Sequence, residues 1–173
     1  WDGDNARRMD KGYPIIRYAD ILLMYAESLN HLTKAYEIKL GDETYSVSRD
    51  LNEIKLAFNL VRHRSGMPGI SNNDLADEET FQKILEIERM KEFLHEGQRY
   101  FDVRRWGIYE ETENETIMGM NVDGSKENFY QRTVPNTSRI GARLVHKKLY
   151  LLPIPLSEIR KPPSCDQNPD WES

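Results

Sequence analysis

Apolar residues recur at helical spacing along the first two-thirds of the chain and predict an arrangement of stacked helices. The strongest signal lies in residues 13–38, where tyrosines and leucines step by four and three along one stripe. Asp20, Glu27 and Lys34, spaced by seven, predict a narrow polar strip on the same helix. The apolar stripe consists of Tyr18, Leu22, Tyr25, Leu29, Leu32 and Tyr36.

A second helix is predicted over residues 51–65 from the apolar spacing that begins at Leu51. Ser48 or Asp50 supplies an N-cap, because a short polar side chain accepts hydrogen bonds from the first free backbone N–H groups. Gly66 is the predicted stop. The segment that follows is rich in Gly, Asn, Ser and Asp, and is predicted to be a loop.

The segment 88–107 is the densest mixture of charged and aromatic residues in the chain. A helix that begins with the acidic turn at Asp77 leads into this segment. Gly97 predicts a break, so that one long helix is followed by a short helix ending at Gly107.

Charged residues of this segment are spaced for a network of ion pairs. On a helix, glutamates at every fourth position form one column, and their mutual repulsion favours neighbouring cations. Asp102 stands three residues from both Arg99 and Arg105, which allows it to bridge two guanidinium groups. The pattern leaves two interpretations open: a solvated charged face, or a buried network that joins two helices. The candidate network residues are Glu88, Arg89, Glu92, Glu96, Arg99, Asp102, Arg104 and Arg105.

The last third of the chain loses the helical pattern. Residues 117–134 predict a β-hairpin around Asp123-Gly124, a pair that favours a type I′ turn. The apolar run 148–155 carries two prolines, which predict an extended end, and residues 156–160 predict a single helical turn. The remaining tail is rich in proline and asparagine and is predicted to be irregular.

The predicted fold class is therefore mainly α, with a small β-hairpin and an irregular, proline-rich C-terminal segment. We expect one domain over residues 1–173. It comprises helices in 13–107, the hairpin and loops in 108–147, and the apolar run with the tail in 148–173.

Composition excludes several classes of function. The net charge is −5, with acidic and basic residues interspersed, whereas a nucleic-acid-binding surface needs a basic face. No apolar run approaches the roughly 20 residues that cross a bilayer. Cys165 is the single cysteine, so the chain forms no internal disulfide, and its cysteine and histidines show no metal-ligand spacing. No cofactor or metal is predicted.

Candidate chemistry is sparse. The chain contains no glycine-rich phosphate loop, HExxH motif or nucleophile elbow, so no catalytic residue is assigned. Two carboxyl groups of the glutamate column offer the one alternative, an acid–base pair of the kind that hydrolyses glycosides. A few aromatic residues lie outside the apolar stripes and are candidates for stacking on sugar rings. These candidate ligand-binding residues are Tyr109, Phe129, Tyr130 and Trp171, with Trp1 and Tyr13 near the N-terminal end.

Four blocks of the sequence resemble the C-terminal part of the RagB/SusD family. They occur in the family's order and span nearly the whole chain, which makes their combination specific. The hairpin at 117–134 matches no family block. The blocks are RYADILLMYAESLN at 17–30, LVRHRSGMP at 60–68, ERMKEFLHEGQRYFDVRRWG at 88–107, and YLLPIPLSEI followed by QNPDW near the end.

The resemblance implies several things that spacing does not show. Proteins of this family are largely helical, with TPR-like helix pairs, and are surface lipoproteins of the outer membrane of Bacteroidetes. They cover a SusC-like TonB-dependent transporter and capture glycans or other nutrients for import. The resemblance therefore implies a C-terminal fragment of a non-catalytic binding protein on the outer membrane, facing the extracellular side. The lipid anchor would lie outside this sequence.

Within that family, block residues serve chiefly as scaffold, which favours the buried interpretation of the charged segment. We expect most of the glycan site to lie outside this chain, with the hairpin at 117–134 as one wall. Two alternatives remain at this point. The chain is a helical scaffold that contacts the transporter only, or it is a glycan hydrolase that uses the glutamate column.

Overall fold

The computed structural model describes residues 15–114, 116–134, 145–161, 163 and 165–171. It is mainly helical with two small antiparallel hairpins, which confirms the predicted fold class. The chain divides into two compact units, Trp1–His95 and Glu96–Ser173. The single domain over 1–173 stays a prediction.

The first helix is shorter than predicted. Helix α1 spans Tyr18–Asn30, and the chain then forms strand β1 (Tyr36–Leu40) and strand β2 (Glu43–Val47). The prediction of one helix over 13–38 was therefore wrong beyond Asn30. Apolar residues alternate along β1, and the two-residue turn after it begins with Gly41 at a φ of 63°. Alternation around a short turn is a hairpin signal, and here it overrides the helical spacing.

Helix α1 buries one side of the predicted stripe, where Ala19, Leu23 and Ala26 widen it, and leaves the tyrosines of the stripe exposed. Tyr18 is 72% exposed and Tyr25 is 45% exposed, whereas Asp20 and Glu27 of the supposed polar strip are buried. Small alanines let α1 approach its neighbours closely, and a tyrosine can leave its hydroxyl group in water at little cost. The buried apolar residues of α1 are Ala19, Leu23, Ala26 and Leu29.

Helices α2 and α3 follow the prediction closely. Helix α2 spans Leu51–Arg64, and the carboxylate of Asp50 caps it by accepting the backbone N–H groups of the second and third helical residues. Helix α3 spans Glu78–Glu92, and Asp77 caps it in the same way. Both helices pack against α1, and α3 also packs against the short 3-10 helix that precedes it, Asn73–Leu75. The core of this unit contains an edge-to-face ring pair, Phe58 and Phe81, with centroids 5.3 Å apart.

The second unit begins at the predicted glycine break. Gly97 has a φ of 80°, a conformation that costs glycine little, and helix α4 starts directly after it. The predicted turn at 156–160 is also present, as helix α6. The elements of this unit are α4 (Gln98–Arg105), α5 (Tyr109–Thr112), β3 (Gly119–Met120), β4 (Arg132–Thr133), a 3-10 helix (Lys147–Tyr150) and α6 (Leu156–Ile159).

The predicted hairpin exists with short strands and a long connection. Strands β3 and β4 pair over two residues each, with Gly119 opposite Thr133. The predicted type I′ turn at Asp123-Gly124 was wrong, since neither residue has the positive φ that this turn requires. The carboxylate of Asp123 instead accepts the backbone N–H and the hydroxyl of Ser125. This local side-chain bond competes with the tight turn.

Candidate functional site

The glutamates of α3 pair with arginines from other elements. Glu88 Oε2 lies 2.6 Å from Arg62 Nη1 of α2, and Glu88 is buried. Glu92 Oε1 lies 2.8 Å from Arg17 Nη1 and 2.6 Å from Arg64 Nη2. The predicted arginine partners all lay within residues 88–107, so the prediction did not include Arg17, Arg62 or Arg64. The signal was available, since all three lie in sequence blocks that the family resemblance quotes.

A buried ion pair connects α3 to α1. Arg89 Nη1 lies 3.0 Å from Asp20 Oδ1, and both residues are buried. The guanidinium groups of Arg89 and Arg17 each lie 5.0 Å from the centre of the Phe93 ring, which adds a cation–π contact. Together with the ion pairs of Glu88 and Glu92, these contacts join α1, α2 and α3, which is a structural role.

The remaining network candidates belong to the second unit. Glu96 is exposed and lies beyond the end of α3, so the three glutamates do not form one helical column. Arg105 Nε lies 2.9 Å from Asp102 Oδ1, at the predicted spacing of three. Arg99 pairs with Glu113 at 3.3 Å, a partner that the prediction did not include.

Arg104 is clamped between two tyrosines. Its Cζ lies 3.6 Å from the ring centre of Tyr100 and 4.2 Å from that of Tyr109. Its Nε donates to the carbonyl of Leu149, and its Nη1 donates to that of Tyr100. A cavity of about 380 Å³ lies beside this stack. Tyr109 is only 8% exposed, so the expectation that it offers a free ring face was wrong.

Trp171 secures the C-terminal segment. Its indole N–H donates to the carbonyls of Lys148 and Leu151, at 3.0 and 2.9 Å. The ammonium group of Lys148 lies 4.5 Å from the centre of the ring. The hydrogen bonds occupy the ring edge and Lys148 lies over the ring face, so Trp171 acts as a packing residue. The candidates Trp1 and Tyr13 lie outside the described residues.

Phe129 and Tyr130 are the predicted ligand-binding residues that the structure brings together. Their ring centres lie 4.2 Å apart with an interplanar angle of 57°. Phe129 is 43% exposed and Tyr130 is 66% exposed. The two rings therefore form one exposed aromatic surface on the β3–β4 connection.

A tight turn followed by a β-bulge places two consecutive aromatic residues on one surface. The N–H of Tyr130 donates to the carbonyl of Asn121 at 2.7 Å, and the N–H of Asn121 donates to the carbonyl of Gln131 at 3.1 Å. Asn121 thus lies opposite both Tyr130 and Gln131, which is the pattern of a β-bulge. Tyr130 has a φ of 59° at the bulge position that usually holds glycine. Regular strands point consecutive side chains to opposite faces. Phe129 and Tyr130 are instead the two central residues of a turn, closed by the N–H of Gln131, which donates to the carbonyl of Asn128 at 3.0 Å. The left-handed φ of Tyr130 costs roughly 1–2 kcal/mol.

The β3–β4 connection that carries the aromatic pair also carries polar side chains. Asn121 Nδ2 donates to Asn128 Oδ1 at 2.6 Å. The hydroxyl and the N–H of Ser125 hold the pKa of Asp123 below its usual value, because both hydrogen bonds favour the carboxylate. Lys126 Nζ lies 3.5 Å from that carboxylate. An exposed ring surface with amide and charged groups near it is suited to a ligand with an apolar face and hydroxyl groups at its edge.

The described residues show neither a metal centre nor a membrane-spanning helix. They contain no group of three or more side chains placed to hold a metal ion. No helix within the described ranges is long and apolar enough to cross a bilayer.

Comparison with known proteins identifies the family. The SusD family profile matches residues 1–171, so the chain belongs to the SusD family. A crystal structure of a SusD-like protein from Bacteroides fragilis is similar, with a TM-score of 0.68 and 27% sequence identity. The match covers 95% of this chain and 28% of that protein. No match was found among curated proteins.

Proposed function

We propose that this chain is part of a non-catalytic binding component of a nutrient uptake system in the outer membrane. Glycans are the proposed ligand class, and a SusC-like TonB-dependent transporter is the proposed partner. The observation that carries the proposal is membership of the SusD family across residues 1–171. By the same family relationship, the protein would face the extracellular side and be held to the membrane by a lipid anchor outside this sequence.

The aromatic pair Phe129–Tyr130 supports a contribution of this chain to ligand binding. A sugar ring presents C–H groups on its face and hydroxyl groups at its edge, which match an aromatic surface with polar neighbours. Two rings alone form a small surface, and the chain spans 28% of its Bacteroides fragilis relative. We therefore assign the pair to one wall of the site, with the larger share elsewhere in the protein.

The placement of the glutamates supports binding over hydrolysis. A glycoside hydrolase needs two carboxyl groups that face each other across the bound sugar. Glu88 and Glu92 instead pair with arginines inside the first unit. These carboxylates are committed to holding helices together.

The test is calorimetry with a panel of polysaccharides on the full-length protein and on this chain. We expect the full-length protein to bind a glycan and this chain to bind the same glycan more than tenfold more weakly, a difference above about 1.4 kcal/mol. Binding by this chain within tenfold would move the site into residues 1–173. Release of reducing ends by the full-length protein would contradict the non-catalytic role.

The transporter partnership needs its own test. Affinity purification of the full-length protein from outer membranes in mild detergent should recover a TonB-dependent transporter in a stoichiometric complex. Recovery of the protein alone, under conditions that preserve other outer-membrane complexes, would contradict the partnership and leave glycan binding unaffected.

A further inference from the structure

The β1–β2 hairpin presents an apolar face that the described residues leave uncovered. Its register places Tyr36 opposite Val47 and Ile38 opposite Tyr45, so these side chains share one face with Leu40. All five residues of β1 are exposed. An isolated two-stranded hairpin is marginally stable in water, and further strands make such a sheet stable.

The outer edge of β1 is also available for pairing. Within the described ranges, β1 belongs to a sheet of two strands and pairs with β2 alone. The two-residue turn follows the Leu40–Glu43 pair, which is hydrogen-bonded, and hydrogen-bonded pairs alternate along an antiparallel ladder. The backbone N–H and C=O groups of Tyr36, Ile38 and Leu40 therefore point toward β2. Those of Glu37 and Lys39 point outward.

We propose that β1 is a homodimer interface, in which the β1 strands of two copies pair antiparallel about a two-fold axis at Ile38. This register sets Glu37 opposite Lys39 of the second copy, and Lys39 opposite Glu37. Glu37 and Lys39 are the two residues of β1 whose backbone groups point outward. Each Glu37–Lys39 pair across the interface therefore exchanges two backbone hydrogen bonds. Oppositely charged side chains directly across an antiparallel ladder attract each other.

The apolar face agrees with the same register. Ile38 meets its own copy in a non-hydrogen-bonded pair, the closer of the two antiparallel spacings. Tyr36 faces Leu40 of the second copy. The two hairpins become one four-stranded sheet whose mainly apolar face also carries Glu43, opposite Leu40 in each copy. The interface is isologous, as two-fold dimers require.

The edge of β2 lacks this selectivity. By the same alternation its outward-pointing residues are Thr44 and Ser46, which carry no charge. Pairing of β2 with itself would set these hydroxyl side chains opposite each other. Charge complementarity therefore distinguishes the β1 edge and limits the assembly to two copies, because each copy has one such edge.

Charge reversal tests the proposal without removing the hairpin. In sedimentation equilibrium, the wild-type full-length protein should dimerise, and Glu37→Lys or Lys39→Glu alone should weaken dimerisation about tenfold, because each sets like charges opposite each other. An equimolar mixture of the two variants should form a heterodimer, since its facing residues are again opposite in charge. The double variant Glu37→Lys/Lys39→Glu should dimerise as the wild type does.

Two controls separate this register from other contacts. Asp42→Lys changes a charge in the exposed turn and should leave dimerisation unchanged, and circular dichroism should show the same fold for every variant. A wild-type full-length protein that stays monomeric at the highest soluble concentration would overturn the proposal. Association that survives both charge variants but is lost with Ile38→Ser would place the contact on the apolar face and would also overturn it.

Discussion

Arg89 and Asp20 lie 69 positions apart in the sequence, and their side chains meet at 3.0 Å in the interior of the first unit. Arg89 is 3% exposed and Asp20 is 7% exposed. A charge at that depth is tolerated only when it is paired and hydrogen-bonded. The pair therefore makes the α1–α3 packing specific, because a shift of either helix would separate the two charges.

Removal of one partner should be costly. We expect Asp20→Ala to lower the free energy of unfolding by about 3 kcal/mol, because it takes the carboxylate away from a buried guanidinium group. Urea unfolding followed by circular dichroism measures this. The matched control is Lys83→Ala, which removes an exposed ion pair with Glu79 at 2.6 Å and should leave stability nearly unchanged. If both variants lost the same free energy of unfolding, the buried ion pair would stabilise the fold no more than the exposed one.

Glu92 serves two arginines at once, and the structure predicts unequal effects around it. Glu92→Ala should cost about 3 kcal/mol, since its carboxylate is nearly buried and pairs with Arg17 and Arg64. Arg64→Ala should cost much less, because 56% of the Arg64 side chain is exposed. Thermal unfolding of both variants distinguishes them. A Glu92→Ala melt identical to that of the wild type would show that the pairs are not structural.

Asp77 should make stability depend on pH at the acid end. The backbone N–H of Thr80 and then its hydroxyl hold the pKa of Asp77 below the ordinary value, because both bonds favour the carboxylate. A carboxyl group with a lowered folded-state pKa stabilises the fold above its unfolded pKa, near 3.9. This contribution is lost as the pH falls through the folded-state pKa.

Asp77→Asn tests that linkage, since the amide keeps a capping oxygen and does not titrate. We expect the unfolding free energy of the variant to fall less steeply than that of the wild type below about pH 4. Urea unfolding at a series of pH values measures the difference, and carbon-detected NMR follows the carboxyl group of Asp77 directly. Superimposable pH profiles would refute the assignment.

The bulge at Tyr130 should separate stability from binding. Tyr130→Gly relieves the left-handed backbone strain and should stabilise this connection by roughly 1 kcal/mol, reduced by whatever packing the ring supplies. The same change removes half of the aromatic surface and should weaken glycan binding by the full-length protein. Phe129→Ala is the matched variant, because it removes a ring without relieving strain. If Tyr130→Gly left affinity unchanged, the pair would not be a ligand wall.

Local signals were sufficient for several parts of the fold. Asp50 and Asp77 were predictable as caps, and Gly97 as the break before α4, because each depends on backbone groups a few residues away. The hairpin after α1 also had a local signal, alternating apolar residues around Gly41, which the longer helical spacing masked. Family membership was likewise visible in the four sequence blocks.

What the chain by itself determined is helices α2, α3 and α4, the charged segment and the exposed position of Phe129 and Tyr130 outside any apolar stripe. Only the tertiary structure decided which face of α1 is buried and which arginine meets which glutamate. The reason is that the spacing of Glu88 and Glu92 indicates only that they require cationic partners. Which arginines supply the positive charge, here Arg62 and Arg17, depends on how the helices pack. The bulge is of the same kind, because it joins the left-handed Tyr130 to Asn121, nine positions away on the opposite side of the hairpin.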